Sequence, residues 1–287
     1  MPSLPGFFAN YQVTITRALD AMVPASRPDP VRDAMRYTLL APSKRVRAVV
    51  VLLAADLCGG AARAMPAACA IEAIHASSLI LDDLPCMDDA PLRRGRPTVH
   101  TVYGEAVAIL AAFGLLNDAY GHLSRSYDSA LAARVTALYT DAVGLDGLVA
   151  GQAEDVLATD AAISFETLER IHRRKTGVLF SAAATAGALT AGGSAGDIEA
   201  LTAYAKNLGL AFQVVDDLLD VTGTEAETGK AVRHDARKTT FVSFSGVEGA
   251  RELAQELCRT ATLALTPFGT RAARLGELAD FVAARRL

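Results

Sequence analysis

Two clusters of aspartates lie in stretches of this chain that are otherwise apolar. They are Asp82, Asp83, Asp88 and Asp89 in ILDDLPCMDDAPLRRGRP, and Asp216, Asp217 and Asp220 in FQVVDDLLDVTG. Carboxylates are seldom buried unless they pair with a cation or bind a metal. Carboxylate oxygens suit a hard cation such as Mg²⁺, which commonly holds a polyphosphate at the same time. The two clusters therefore predict a magnesium–polyphosphate site.

The first cluster cannot lie on one continuous helix. Asp82 and Asp88 are six residues apart, so on an ideal helix they would point roughly 120° away from each other. Pro85 removes a backbone donor and disfavours helix in the residue before it. We therefore expect the helix to end near Asp83 and the chain to turn Asp88 back toward the same metal.

The second cluster follows a different pattern. Asp216 and Asp220 are four residues apart with no proline or glycine between them, so they share one face of an unbroken helix. Gln213 precedes Asp216 by three residues and shares that face. Asp217 points elsewhere and is the weaker ligand candidate.

Helical spacing of apolar residues extends over almost the whole chain. Residues 105–120 repeat apolar side chains at i, i+3, i+4 and i+7, the pattern of an amphipathic helix. The same pattern covers residues 31–58, 66–82, 130–158, 165–190, 197–220 and 249–265, and strand-like alternation is nearly absent. We predict one all-α domain spanning residues 1–287, a single-domain multi-helix bundle around a central cavity.

Composition narrows the possible partners and location. The net charge is −4 without a long basic tract, which argues against nucleic acid. The longest apolar runs, near 48–55 and 106–116, are too short to span a bilayer, so no stable membrane insertion is expected. No secretory signal is visible. The four cysteines have no CxxC spacing and predict reduced thiols in a cytoplasmic protein.

Six collinear motifs resemble the trans-isoprenyl diphosphate synthases, the polyprenyl synthetase family, and look most similar to geranylgeranyl diphosphate synthases of bacterial carotenoid pathways. The motifs are RYTLLAPSKRVRAVVVLLAADLCGG, DDLPCMDD, LRRGRPTVH, KTGVLF, QVVDDLLD and TGKAVRHDARKTTFVS. Ser43 and Ala48 stand where the family normally has glycine and proline. The resemblance covers almost the whole chain and implies the type I isoprenoid synthase fold. It also implies a homodimer, for which the helix at 105–120 offers a small, apolar face that could equally be core.

The resemblance implies a head-to-tail condensation of isopentenyl diphosphate with an allylic diphosphate (dimethylallyl, geranyl or farnesyl). The allylic carbon–oxygen bond must ionise, and Mg²⁺, expected as three ions, neutralises the departing diphosphate. The expected metal ligands are Asp82, Asp88 and Asp216, supported by Asp220. Asp83 is expected to take part in catalysis by orienting ligands and waters, with Asp89 in the same role.

Basic residues are expected to hold the two diphosphates, because arginine and lysine suit phosphate oxygens. By resemblance, the allylic diphosphate contacts Arg93, Lys175, Thr176, Gln213, Lys230 and Lys238. Isopentenyl diphosphate contacts Lys44, Arg47, His75 and Arg94. Arg45 is expected to point away, and Arg96 to form a surface ion pair. No protein base is assigned, because the released diphosphate can take the final proton.

Product length is predicted from the residues that precede the first cluster. Ser78 and Ser77 lie four and five residues before Asp82, about 6–7.5 Å down the helix axis. Family members that stop at fifteen carbons usually carry an aromatic residue there, so small serines imply a twenty-carbon product. The cavity floor is expected at Ile74 or Phe113.

Alternatives remain open from the sequence. Ser77 and Ser78 could instead permit close helix packing, with another side chain stopping the product at fifteen carbons, as in a farnesyl diphosphate synthase. A class I terpene cyclase would also use two acidic motifs but needs no isopentenyl diphosphate site. A non-catalytic partner subunit typically loses one aspartate motif, whereas this chain keeps both.

Overall fold

A computed structural model describes residues 5–25, 28–222 and 238–284. Within these ranges the regular secondary structure is helical apart from one short hairpin, so the all-α prediction is confirmed. The first seven helices are α1 Phe8–Met22, α2 Pro30–Leu39, α3 Val46–Leu57, α4 Met65–Asp82, α5 Val99–Tyr103, α6 Glu105–Ser126 and α7 Ser129–Val143. The remaining helices are α8 Leu148–Leu157, α9 Phe165–His172, α10 Val178–Thr190, α11 Ala195–Thr222, α12 Phe241–Ala264 and α13 Ala273–Ala283.

Three of the predicted helical stretches are interrupted. Residues 31–58 divide into α2 and α3, and Arg45 between them has a left-handed backbone with φ of 54°. Residues 130–158 divide into α7 and α8 around Gly144 and Gly147. Residues 165–190 contain a π-helical turn, Arg173–Gly177, between α9 and α10. Each interruption changes the direction in which the following side chains point.

The centre of the bundle is formed by α3, α4, α10 and α11, whose side chains are largely buried. Alanine and glycine let these helices approach closely. A Cβ at Gly187 of α10 would collide with the Val51 carbonyl of α3 and lie 2.8 Å from Ala54 Cβ. Packing of backbone against backbone leaves little freedom for the helices to slide, because a tightly packed interior resists small displacements. The first aspartate cluster begins at the C-terminal end of α4 in this packed bundle.

The hairpin pairs β1 Leu92–Arg93 with β2 Arg96–Pro97 in antiparallel register. Arg94 and Gly95 form its turn, with φ of 55° and 72°. Two consecutive positive φ values are typical of a type I′ turn, which suits the twist of a tight hairpin. Sequence patterning did not predict this hairpin, because strands of two residues leave no alternation to detect.

Helix α6 exposes one apolar face. Its exposed side chains include Ile109, Leu110 and Phe113, and Phe113 is 72% exposed. The prediction that Phe113 closes a cavity is therefore wrong for a single chain, since its ring lies outside the bundle. Within the described residues, α6 is the one helix long and apolar enough to cross a membrane, and 33% of its apolar window is buried. The expectation that no apolar segment is long enough is thus corrected, although core helices of soluble proteins can be equally long and apolar.

Candidate active site

The first aspartate cluster lies where α4 ends. The helix stops at Asp82, and the Asp83 amide donates to the Leu79 carbonyl at 3.1 Å. The Asp88 amide then donates to the Asp82 carbonyl at 3.0 Å, and the Ala90 amide to the Asp83 carbonyl at 3.2 Å. The chain therefore turns back on itself and returns Asp88 to the helix end, as the sequence predicted.

The hairpin directs Arg93 toward the same helix end. Arg93 Nε lies 2.7 and 2.9 Å from the two Asp83 oxygens, and its Nη2 lies 2.6 Å from Asp83 Oδ1. The Nη2 atom is also 3.7 Å from Asp82 Oδ2. Burial opposes the charge of Arg93, but the hydrogen bond to Asp83 and the surrounding carboxylates raise its pKa. Asp83 is buried and orients the Arg93 guanidinium, while its role toward metal ligands and waters stays a prediction.

A shared carboxylate, Asp155 on α8, joins two lysines that are far apart in sequence. Asp155 Oδ2 accepts from Lys175 Nζ at 2.7 Å and from Lys238 Nζ at 2.9 Å. Lys175 also reaches Asp82 Oδ1 at 3.2 Å, and Lys238 reaches Asp88 Oδ1 at 2.9 Å. Burial tends to raise the pKa of Asp155, but the two ammonium groups lower it to about 2. The structure thus brings both predicted lysines to the first aspartate cluster.

The π-helical turn Arg173–Gly177 carries Lys175 and Thr176. Glycines support it on two sides: a Cβ at Gly151 of α8 would collide with Lys175 N, and one at Gly209 of α11 would lie 3.0 Å from Gly177 Cα. A π turn shifts the helical register by one residue and is frequent at functional sites. The extra residue aims Lys175 at Asp82 while the neighbouring Thr176 faces α11.

Thr176 connects the lysine network to the second aspartate motif. Its hydroxyl donates to Gln213 Oε1 at 3.0 Å, and Gln213 Nε2 donates to Asp217 Oδ1 at 2.9 Å. The other Asp217 oxygen accepts from the amide of Phe241, the first residue of α12, at 2.9 Å. Asp217 is therefore a buried structural acceptor, whereas Asp216 and Asp220 lie half-buried on the same unbroken helix.

A second basic group lies around His75 of α4. Arg47 Nη1 lies 3.1 Å from His75 Nε2, and the Arg47 guanidinium lies over the Phe180 ring at 4.7 Å. Burial lowers the pKa of Arg47 to about 10, while Glu72 and Asp216 oppose that change. Burial and the charge of Arg47 hold the pKa of His75 well below its usual range. His75 is thus neutral and accepts a hydrogen bond from Arg47 through Nε2.

Lys44 and Arg94 are the other two residues predicted to bind isopentenyl diphosphate. Lys44 Nζ lies 5.5 Å from the centre of the Phe281 ring. Arg94 occupies the hairpin turn and is exposed to solvent. Partial desolvation and the positive charge of Arg45 lower its pKa, while Glu72 opposes this. Arg96, expected in a surface ion pair, instead stacks on Tyr37 at 4.1 Å. Lys230 lies outside the described residues.

The described carboxylates match a hard cation in donor chemistry but do not form a ready-made metal cage. No three histidine, cysteine, aspartate or glutamate side chains in the described part of the chain gather closely enough to hold an ion. Asp82 and Asp88 instead pair with Lys175 and Lys238. Half-buried carboxylate oxygens at a helix end, next to ammonium groups, fit a cation that arrives together with a phosphate ligand.

The chain-length candidates differ in their surroundings. Ser77 is buried, and its hydroxyl donates to the Ala112 carbonyl of α6 at 2.8 Å. This contact is what the close-packing alternative requires for Ser77. Ser78 is half-buried, and its hydroxyl donates to the backbone carbonyl of His75 on its own helix at 2.9 Å. Ile74 is buried in the core one turn further along α4.

Three residues of this region, Gln152, Asp155 and Glu72, were assigned no role from the sequence. Asp155 and Gln152 lie in the stretch GQAEDV, and Gln152 Nε2 donates to Asp82 Oδ1 at 2.7 Å. Glu72 was not singled out at all. Its only sequence signal is a glutamate within an apolar helix, three residues before His75, and a buried carboxylate requires a partner.

Comparisons with known proteins agree with this geometry. The polyprenyl synthetase family model matches residues 28–262. A chloroplastic geranylgeranyl pyrophosphate synthase from Capsicum annuum is 44% identical over 95% of this chain and 76% of its own length. The crystal structure of geranylgeranyl pyrophosphate synthetase from Pyrococcus horikoshii matches with a TM-score of 0.87 and 30% identity, covering 97% of this chain and 98% of that one.

A further structure, a geranyltransferase from Helicobacter pylori complexed with magnesium and isoprenyl diphosphate, has a TM-score of 0.84 and 28% identity over 98% of this chain and 97% of that one. The cytoplasmic location predicted from the cysteines is contradicted, because the relatives from Capsicum annuum and Arabidopsis thaliana are chloroplastic enzymes by name. Reduced thiols are compatible with several compartments, so they could not distinguish them. The chain belongs to the polyprenyl synthetase family and is a prenyltransferase that elongates prenyl chains.

Proposed function

We propose that this prenyltransferase condenses isopentenyl diphosphate with an allylic diphosphate in the presence of Mg²⁺ and releases geranylgeranyl diphosphate. The observation that carries the proposal is the network in which Asp155 holds Lys175 and Lys238 against Asp82 and Asp88. It places fixed positive charge beside carboxylates that can take up a cation. A diphosphate with its magnesium ions has the complementary charges.

Asp82, Asp88 and Asp216, supported by Asp220, are the proposed metal ligands for three ions. Bound Mg²⁺ would act as a Lewis acid that neutralises the departing diphosphate. The magnesium and isoprenyl diphosphate in the related Helicobacter pylori structure support this assignment. Asp83 orients Arg93, so its catalytic contribution is to position a cation next to the leaving group.

Arg93, Lys175 and Lys238 are proposed to hold the allylic diphosphate. In the described structure all three are paired with carboxylates. Binding would exchange these partners, so that the cations contact phosphate oxygens while the carboxylates contact the metal. Thr176 and Gln213, hydrogen-bonded at 3.0 Å, lie next to Lys175 and would contact the ionising carbon–oxygen bond. Lys230 is proposed as a further contact by resemblance alone.

Lys44, Arg47, His75 and Arg94 are proposed to hold the diphosphate of isopentenyl diphosphate. Arg47 and His75 contact each other directly, and the neutral His75 adds no charge to the cluster. Lys44 and Arg47 are half-buried, and cations that are partly removed from water attract a diphosphate more strongly than fully solvated ones. A terpene cyclase has no second diphosphate to bind, so this basic group favours chain elongation over cyclisation.

The proposed reaction conserves atoms and charge as follows. The allylic C–O bond breaks, and both electrons leave with the diphosphate. The double bond of isopentenyl diphosphate supplies two electrons for the new C–C bond, and a proton is then lost from the adjacent carbon to the released diphosphate. The protein's groups hold the two substrates in line and exclude water from the cation, and positioning of this kind can account for a large part of the acceleration.

The twenty-carbon product is proposed because Ser78, half-buried one turn before Asp82 on α4, is too small to block a prenyl tail. Ser77 faces α6, so Ser78 is the more favourable of the two for lining a prenyl tail. Ile74, buried one turn below Ser78, is the proposed floor. The names of relatives from Capsicum annuum and Pyrococcus horikoshii support this product. The likeness to carotenoid-pathway enzymes stays a prediction from the motifs.

A homodimer is proposed through the exposed face of α6. Ile109, Leu110 and Phe113 lie on that face, and exposed apolar side chains in a row are typical of interfaces. Light scattering during size-exclusion chromatography would give twice the chain mass of 30.0 kDa. A single-chain mass at micromolar concentration would contradict the dimer and leave α6 as an exposed monomer surface.

One incubation tests the proposed reaction. The purified chain receives geranyl diphosphate and Mg²⁺, with or without labelled isopentenyl diphosphate. We expect labelled, longer diphosphates only when both substrates and the metal are present, and none after chelation by EDTA. Hydrocarbon or alcohol formed from geranyl diphosphate alone would indicate a cyclase, and a lack of any turnover would indicate a non-catalytic subunit.

A further inference from the structure

A buried carboxylate, Glu72, lies beneath the basic group that is proposed to bind isopentenyl diphosphate. Glu72 stands on α4 three residues before His75, so both side chains share one helical face. Its side chain is 4% exposed, and it faces Arg45, whose side chain is 3% exposed, at 3.5 Å between Glu72 Oε2 and Arg45 Nη1. A charge that is removed from water in this way persists only with specific partners.

Arg45 links this carboxylate to the connection between α2 and α3. Its Nη2 donates to the carbonyl of Leu39 at 2.6 Å and to that of Ala41 at 3.1 Å. Arg45 itself has φ of 54° and ψ of 32°, a left-handed conformation that costs a residue with a Cβ some free energy. The contacts of its guanidinium therefore hold a strained turn in place, and that turn carries Lys44 on one side and Arg47 on the other.

Glu72 also binds the backbone of α3. Its Oε1 accepts from the Ala48 amide at 3.2 Å. Ala48 is one of the two positions at which this sequence departs from the motif it resembles, where proline is normal. Proline has no N–H, so this hydrogen bond exists only because of the substitution. The amide belongs to the first turn of α3, where N–H groups lack partners within the helix.

The negative charge of Glu72 also acts on Arg47 and Arg94, two of the arginines proposed to bind isopentenyl diphosphate. Burial lowers the pKa of Arg47 to about 10, and among the neighbouring charges Glu72 raises it most. Burial also lowers the pKa of Arg94, and Glu72 is again the charge that raises it most. One carboxylate therefore faces Arg45 in direct contact and supports the charge of two further arginines.

We propose that Glu72 is a positioning residue for the isopentenyl diphosphate site: through Arg45 and the Ala48 amide it fixes the turn that carries Lys44 and Arg47. This inference rests on the proposed function. Arg45 has a positioning role as well, because it links Glu72 to the Leu39 carbonyl at the end of α2. Glu72 does not contact the substrate, so its loss acts through Lys44 and Arg47.

The test is steady-state kinetics of Glu72→Gln, which keeps the shape of the side chain and removes its charge. We expect KM for isopentenyl diphosphate to rise by about tenfold or more, the size of effect typical for loss of a hydrogen-bonded charge. KM for geranyl diphosphate should change by less than about twofold, because Glu72 contacts none of Arg93, Lys175 or Lys238. A variant that is merely less stable loses active enzyme and lowers kcat without separating the two KM values.

Ala48→Pro supplies a second, milder test, because it removes one N–H donor and leaves the carboxylate intact. We expect KM for isopentenyl diphosphate to rise about threefold, whereas Ala48→Gly, which keeps the N–H, should leave it within about twofold. If Glu72→Gln does not fold, this pair of variants decides alone. Equal changes in both KM values, or none, in the variants that fold would overturn the role of Glu72. If the wild-type chain does not use isopentenyl diphosphate at all, the proposed function fails instead.

Discussion

Replacing Asp155 with asparagine gives the sharpest prediction for the lysine network. The Asp155 carboxylate accepts from Lys175 and Lys238 at 2.7 and 2.9 Å, and its pKa falls from an ordinary 3.8 to about 2. One pKa unit corresponds to about 1.4 kcal/mol, so the difference is worth about 2–3 kcal/mol of stability at neutral pH. Asparagine keeps the size of the side chain but leaves the two ammonium groups without their shared acceptor.

We expect Asp155→Asn to lower the melting temperature by about 4–12 °C at pH 7.5, from about 2–4 °C per kcal/mol for a chain of this size. Circular dichroism melts at several pH values measure it. Because the folded pKa is lowered, the contribution is complete above pH 5 and is lost as pH falls from about 4 toward 2. The difference between wild type and variant should therefore shrink in acid.

Glu154→Gln is the matched control. Glu154 precedes Asp155 on the same helix and also holds two cations, with Arg170 at 3.1 Å and Arg174 at 2.5 Å, but these pairs are more exposed. Exposed pairs contribute less than about 1 kcal/mol, so the control should shift the melting temperature little. The reasoning is refuted if both variants melt alike, or if the effect of Asp155→Asn does not depend on acid.

The remaining predictions concern the site and its supports. Asp82→Ala and Asp216→Ala should each lower kcat by about 10³-fold or more with unchanged far-ultraviolet circular dichroism, and near-normal turnover in either would exclude the metal role. Ser78→Phe should shorten the main product by one isoprene unit, read by chromatography of dephosphorylated products; an unchanged profile would show that Ser78 does not line the tail. Gly151→Ala places a methyl group against the Lys175 backbone and should cost about 1–3 kcal/mol of stability in denaturant melts, and a neutral result would mean that α8 can move away.

The sequence was sufficient to predict the polar ends of the helices. Pro85 marked the end of α4 and the return of Asp88, because a missing backbone donor is a local property that the sequence shows directly. The unbroken face with Asp216 and Asp220 followed from helical spacing in the same way. Both predictions depended on residues within one or two turns of each other.

The parts that sequence reasoning missed depend on contacts between distant residues. Asp155 meets Lys238 across 83 positions, and no spacing rule links them. The π turn that aims Lys175 requires close approach of α8 and α11, which only the packed bundle reveals. Phenylalanine is typical of protein cores, yet Phe113 is exposed. Helical periodicity shows that a face is apolar, but it does not show what covers that face.

The most direct test of the central claim is the product length from three different starters. The purified chain with Mg²⁺ and isopentenyl diphosphate is supplied separately with dimethylallyl, geranyl or farnesyl diphosphate, and the dephosphorylated products are separated by chromatography. If the bundle sets the length through the space beneath Asp82, all three starters end at twenty carbons. Accumulation of a fifteen-carbon product, or a failure to incorporate isopentenyl diphosphate from any starter, would contradict the account.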